Sequence, residues 1–208
     1  MTPRQAPACR PQPLLAVLAA LLLAGCVSLP QAEAPPQRYV LTPLAGGGQP
    51  TNGARIAVAK PQVPAGLASD RIAVLRGGRR LDHYAGARWS APLPDLLQDF
   101  LASSVENRLG AAAWGPEPAR YRLITAVRDF QAEYGEGASG PPTVRVTLVA
   151  VLWDRVEGEA VLRRHSTLTR RAQANRLEAV TAALEGLLRR AVGDFLETAE
   201  QRLAAQGS

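Results

Sequence analysis

From Thr143 to Asp154 the chain alternates. Val144, Val146, Leu148, Ala150 and Leu152 fall on every second position, the period of a strand with one face in a core. Two further β-rich runs flank it, Tyr121 to Tyr134 and Ala160 to Ala172, separated from it only by Gly135–Pro142 and Glu157-Gly158. Connections this short join antiparallel neighbours, because a parallel return needs a crossover of a dozen or more residues. A chain built around this segment has to form an antiparallel meander and then cover one face of it.

Two amphipathic segments supply the cover. In Pro92–Leu109, the residues Leu93, Leu96, Leu97, Phe100, Leu101, Val105 and Leu109 keep the three-four spacing of a one-sided helix. Pro92 and Pro94 sit in its first turn, where a missing N–H costs little, and Gly110 is placed to stop it. A second helix is predicted from Arg176 to Leu203, with Leu177, Val180, Leu184, Leu187, Leu188, Ala191, Phe195 and Ala199 as its stripe. Asn175 and Glu178 have the form of a capping box at its start. Upstream, Arg38–Thr42 reads as a short strand, Leu44–Asn52 as a Gly-rich loop and Arg55–Gln62 as a strand ended by Pro61 and Pro64. Arg71–Arg76 and Arg79–Tyr84, joined through Gly77-Gly78, read as a tight hairpin. The expected fold is α+β, a two-layer sandwich of a mainly antiparallel sheet and two main helices.

The N-terminus predicts where such a domain works. Arg4 and Arg10 precede an apolar run from Leu14 to Ala24, which is shorter than the roughly 20 residues a membrane span needs and has the form of a signal peptide. Leu23-Ala24-Gly25-Cys26 fits the bacterial lipobox. It predicts cleavage between Gly25 and Cys26, with an S-diacylglycerol and an N-acyl chain on the cysteine, and several acyl chains make a stable anchor. Val27-Ser28, with no aspartate after the cysteine, reads as an outer-membrane address. The division expected is 1–25 signal peptide, 26–37 lipidated cysteine and proline-bearing tether, and 38–208 one periplasmic domain.

The only other cysteine, Cys9, leaves with the signal peptide, so no disulfide or thiolate metal site is expected. Removing Arg4 and Arg10 takes the formal net charge from +6 to +4, and Lys60 is the only lysine among the basic residues. Scattered arginines in a periplasmic protein point to an anionic lipid surface or an acidic protein rather than nucleic acid. No catalytic pattern stands out in the sequence. His83 and His165 are the only histidines, and each falls in a predicted strand without a matching nucleophile. Ser139 lacks the GxSxG elbow. No HExxH occurs, and Ala45-Gly46-Gly47-Gly48 lacks the GK[ST] of a phosphate loop. Asp154, Glu157 and Glu159, like Asp129 and Glu133, read as turn or strand-end charges. The expectation is no enzyme, no metal and no cofactor beyond the lipid.

Three stretches carry a resemblance. They are RIAVAKPQVPAGLASDRIAVLRGGRRLDHYAGARWSAPLPDLLQDFL from Arg55 to Leu101, YRLITAVRDFQAEY from Tyr121 to Tyr134, and TVRVTLVAVLWD before the terminal helix. Their sharpest pieces are Val63-Pro64 with Leu67, Arg71-Ile72, and Arg88-Trp89 followed by Pro92-Leu93. In this order, behind a lipobox, they resemble the ABC-type transport auxiliary lipoprotein family of the PqiC type. The resemblance implies a fold like the N-terminal domain of TolB-type envelope proteins. It also implies partnership with ABC transporter subunits and a mammalian-cell-entry (MCE) protein that moves lipid between membranes. The lipoprotein would dock that assembly at the outer membrane, with phospholipid as the cargo and a ring-like homo-oligomer as a further expectation. No long apolar groove is visible in the sequence to carry an acyl chain.

Tyr84, Arg88 and Trp89 are candidate partner-binding residues, since Trp and Arg are enriched at interface hot spots. The alternative, Trp89 plugging the helix onto the sheet, stays open at this point, and Trp114 and Trp153 have the same alternative. Two other functions remain in view. One is a regulatory lipoprotein that activates a peptidoglycan synthase, since fold does not fix function; the other is a hydrolase using the histidines.

Overall fold

The computed structural model describes residues 35–46, 54–111 and 118–206. The signal peptide, the Gly25-Cys26 junction, most of the tether, Trp114, and Gly47 and Gly48 of the glycine run lie outside the described residues. In chain order the elements are β1 (Gln37–Tyr39), β2 (Ile56–Val58), a single 3-10 turn at Ala65–Leu67, β3 (Arg71–Arg76), β4 (Arg80–Trp89), α1 (Leu93–Leu109), β5 (Tyr121–Tyr134), β6 (Thr143–Asp154), β7 (Glu159–Arg171) and α2 (Leu177–Gln206).

β5 is the spine of the sheet. β6 pairs with it antiparallel along nearly its whole length, from Tyr121 opposite Asp154 to Glu133 opposite Thr143, and β7 continues the meander on β6. On the other side of β5, β2 lies parallel against Tyr121–Leu123 and β3 parallel against Gln131–Tyr134, with a bridge from Gln62 to Ala126 between them. β4 pairs antiparallel with β3, and β1 lies parallel to the end of β4. The sheet is therefore mixed, with its longest ladders antiparallel, and the strand order is β1-β4-β3-β5-β6-β7.

A bulge between Val127 and Asp129 reverses the parity of β5. Tyr121, Leu123, Thr125 and Val127 point to the helices before it, and Phe130, Ala132 and Tyr134 after it, all buried. Both helices cover this one face. Leu101 of α1 and Val192 and Phe195 of α2 meet Leu123, Leu148 and Ala150 of the sheet. Each large side chain so buried contributes about 1.5–3 kcal/mol, and the stripes read from the sequence, Leu177 apart, are buried in both helices.

The helix ends follow local chemistry. Ser69 O accepts the Leu93 N–H at 3.1 Å, satisfying a first-turn donor. Asp95 in that turn pairs with Lys60. Gly110 is left-handed at φ 56° and donates to Glu106 O at 2.8 Å. The expected capping box of α2 is not what Asn175 does. Its Oδ1 accepts from the Tyr134 hydroxyl at 2.6 Å and its amide donates to Ser139 O at 2.8 Å, tying the β5–β6 turn to the start of the helix. The first strand stops at Tyr39 rather than Thr42, and the chain after it is still structural: Leu41 and, at the start of the expected loop, Leu44 are buried. Arg189 donates to Thr42 O and Pro43 O, and Asn107 to Leu44 O.

Candidate functional site

The three residues singled out as a partner surface have different fates. Trp89 is 1% exposed and its ring lies 5.7 Å from that of Phe130, tilted by 48°. A partner cannot touch it without opening the core, so the partner-binding expectation is corrected for Trp89: it joins the strand before α1 to the sheet. Arg88 is half-exposed and donates to Asp70 Oδ1 at 2.8 Å. Tyr84 is part-buried; its hydroxyl lies 3.0 Å from the Tyr134 hydroxyl, which in turn donates to Asn175. Burial and this hydrogen bond push the Tyr84 phenol well above its ordinary range. Tyr84 and Arg88 thus sit in separate polar contacts, and no triad forms.

The histidines are not brought together with a nucleophile. His83 lies on β4 with its Nε2 buried, close to the Gly66 backbone. Desolvation, then the nearby Arg71 charge, lower its pKa. His165 is exposed on β7, with Thr167 Oγ1 3.5 Å away. Among the described residues no group of three or more His, Cys, Asp or Glu could hold a metal ion.

The sequence reading missed the face of the sheet opposite the helices. β6 is apolar on both sides: Val149, Val151 and Trp153 alternate with the core residues, and that doubled pattern was the available signal. Register places Ile124, Val151 and Arg163 in one row across the sheet, Ala126, Val149 and His165 in the next, and Arg122, Trp153 and Ala160 at the margin. Ile124 is 36% exposed; Val149, Trp153 and Val161 are half-buried, and Arg122 and Arg163 exposed. Farther along, the same face turns polar. Glu133 takes two hydrogen bonds from Arg145, at 2.7 and 3.1 Å, and one from Gln131 at 3.3 Å. The arginine pair Arg163-Arg164 splits across the sheet as alternation requires: Arg164 turns to the helices and donates to Asp194 O and Thr198 Oγ1.

One end of the sheet is closed electrostatically. Asp154, 1% exposed, accepts from Arg120 Nε and Nη2 at 2.9 and 2.8 Å and from the backbone N–H groups of Val156 and Glu157. The Arg120 hydrogen bond is the main cause holding its carboxyl below the usual range. Asp154 is therefore a structural turn-former, not half of a catalytic carboxylate pair.

The model of the family described as ABC-type transport auxiliary lipoprotein component matches residues 39–194. The chain belongs to this family. The resemblance carried by Arg55–Leu101 and Tyr121–Tyr134 thus identifies its relatives, and an auxiliary lipoprotein component of transport is what the family is. Protein XCC0632 from Xanthomonas campestris, of known crystal structure, is similar to this chain at 26% identity and a TM-score of 0.70, over 82% of this chain and 99% of its own. A second solved structure, an uncharacterized protein, has the same fold at a TM-score of 0.62 and 16% identity, over 84% of this chain and 99% of its own. No curated protein matches the chain. Among the described residues of this auxiliary lipoprotein, no helix is long and apolar enough to cross a membrane.

Proposed function

We propose that this auxiliary lipoprotein is the outer-membrane accessory of an ABC transporter that carries MCE subunits. Cys26 bears the lipid that holds it to the membrane. The half-apolar sheet face around Ile124, Val149, Val151 and Trp153 receives the periplasmic MCE assembly, and phospholipid passes at that contact. The family match over 39–194 carries this reading. The face supports it: both helices pack on the other side of the sheet, and the apolar rows are edged by Arg122 and Arg163, an apolar centre with a charged rim as in protein interfaces. The role is non-enzymatic, since docking needs a surface and an anchor and no bond is made or broken.

A charge placed in the apolar rows tests it. Val149→Arg leaves the helix-side core untouched, so the melting temperature stays within a few degrees of wild type while the MCE subunit is lost from affinity eluates of native membranes. Unchanged MCE recovery from the Val149→Arg strain overturns the assigned face. Recovery of a peptidoglycan synthase in place of MCE subunits, from wild type, overturns the transport reading in favour of a regulatory one.

A further inference from the structure

At one end of the sheet two turns stand side by side. Arg76, the last residue of β3, is opposite Tyr134, the last of β5, and Gly77 N–H donates to Tyr134 O at 2.9 Å. The Gly77-Gly78 turn of the hairpin and the Gly135–Pro142 turn therefore face one another. Between them is an open cleft of about 620 Å³, lined by Arg76, Arg79 and Arg80 on the hairpin side and Gly135, Glu136 and Gly137 on the other. Arg76 is held in place: its guanidinium lies 5.1 Å over the Tyr134 ring, with Asp82 at 3.8 Å. The opposite wall is pinned through Asn175 to Ser139. The side chains of Arg79 and Arg80 are exposed, and no ion pair or hydrogen bond occupies them among the described residues.

Three guanidinium groups converging on one cleft, one of them fixed, suit a phosphate oxygen set better than any other common ligand group, because the planar fork matches phosphate. The cleft is within the size range of small-molecule sites and is larger than an inorganic phosphate needs. Chain direction names the source. β1 runs parallel to the end of β4, with Gln37 opposite Ala87, so the chain enters the fold from the side of the hairpin tip. A lipid on Cys26, the anchor proposed above, would keep the domain at a phospholipid surface.

We infer that the cleft between the two turns binds the phosphate of a phospholipid head group, with Arg76, Arg79 and Arg80 on the phosphate and Glu136 facing the rest of the head group. This gives the protein a second hold on the membrane, orienting the domain so that the hairpin end faces the bilayer. Glu136 tunes selectivity: it repels a purely anionic head group and accepts one that carries an ammonium. The membrane source rests on the Cys26 reading above; the head-group chemistry does not.

The test uses the full chain purified from membranes in neutral detergent, titrated calorimetrically with glycerophosphoglycerol, glycerophosphoethanolamine and inorganic phosphate at low salt. Both head groups bind, the ethanolamine form more tightly, and inorganic phosphate binds at least about tenfold more weakly. Arg79→Ala with Arg80→Ala weakens head-group binding at least about tenfold with the melting temperature unchanged, and Glu136→Gln abolishes the ethanolamine preference. Phosphate binding as tightly as the head groups overturns the lipid source, and head-group affinity that ignores the arginine substitutions overturns the site. Head-group binding by a chain found free of lipid on Cys26 supports the cleft and overturns the anchor alone.

Discussion

Trp89 is the residue whose role the sequence left open and the structure decides. Its neighbours in sequence, Arg88 and the Pro92 helix start, are those of an exposed corner. Its burial comes from Phe130, forty-one positions away, a contact that no local pattern announces. Trp89→Ala leaves a cavity in the core and costs about 3–5 kcal/mol, read as a drop in the urea midpoint; a docking residue would instead lose its partner at constant stability. Asp154 gives a pH signature. Its folded pKa is depressed, so its stabilising contribution is complete above the ordinary aspartate value of about 3.9 and is lost as pH falls through the lower folded value. Urea midpoints followed downward from pH 5 should fall for wild type, and Asp154→Asn should be less stable at pH 5 with a shallower decline.

At the scale of elements, the sequence was most legible where periodicity is long and punctuated. Tyr121–Tyr134 and Thr143–Asp154 occupy the spans expected, since Gly135 stops the first and Pro141-Pro142 precede the second. β4 runs on to Trp89 instead of ending at Tyr84, because a bulge around Gly86, at φ 66°, lets it swing away from β3 and rejoin it at Arg71. β1 and β2 are three residues each and parallel; their pairing is with distant strands, which local propensity does not encode. The arginine cleft was invisible for the same reason, as Arg76 and Glu136 meet only through the β3–β5 register. Between sheet and helices the packing leaves a polar mismatch at Thr125. The Thr125 hydroxyl is buried without a partner, in a gap too narrow for water. Thr125→Val removes that unpaired group and should stabilise the domain by about 1 kcal/mol, a rise of a few degrees in melting temperature; a loss of stability would mean the hydroxyl has a role that its surroundings do not reveal.

At the scale of the whole molecule, the two-layer fold sends its helices to one face and leaves the other, together with the hairpin end, to outside contacts. Such an arrangement suits the auxiliary component of transport that the family match describes. The proposed anchor rests on Leu23-Ala24-Gly25-Cys26 alone, because a peptidase and an acyltransferase read local sequence. The proposed docking face has no such local signature, because its rows are assembled by strand register. Cys26→Ser should leave the folded domain intact while moving the protein from the membrane to the soluble fraction of the periplasm, checked by fractionation; membrane retention of the unacylated chain would show that the anchor is dispensable. The most direct measurement of the central claim is a cross-linked pull-down of the wild-type lipoprotein from native membranes, with mass spectrometry of the eluted proteins. Recovery of ABC and MCE subunits cross-linked to residues of the β5–β7 face is the result expected. Recovery of neither, from a chain that is folded and membrane-bound, would contradict it.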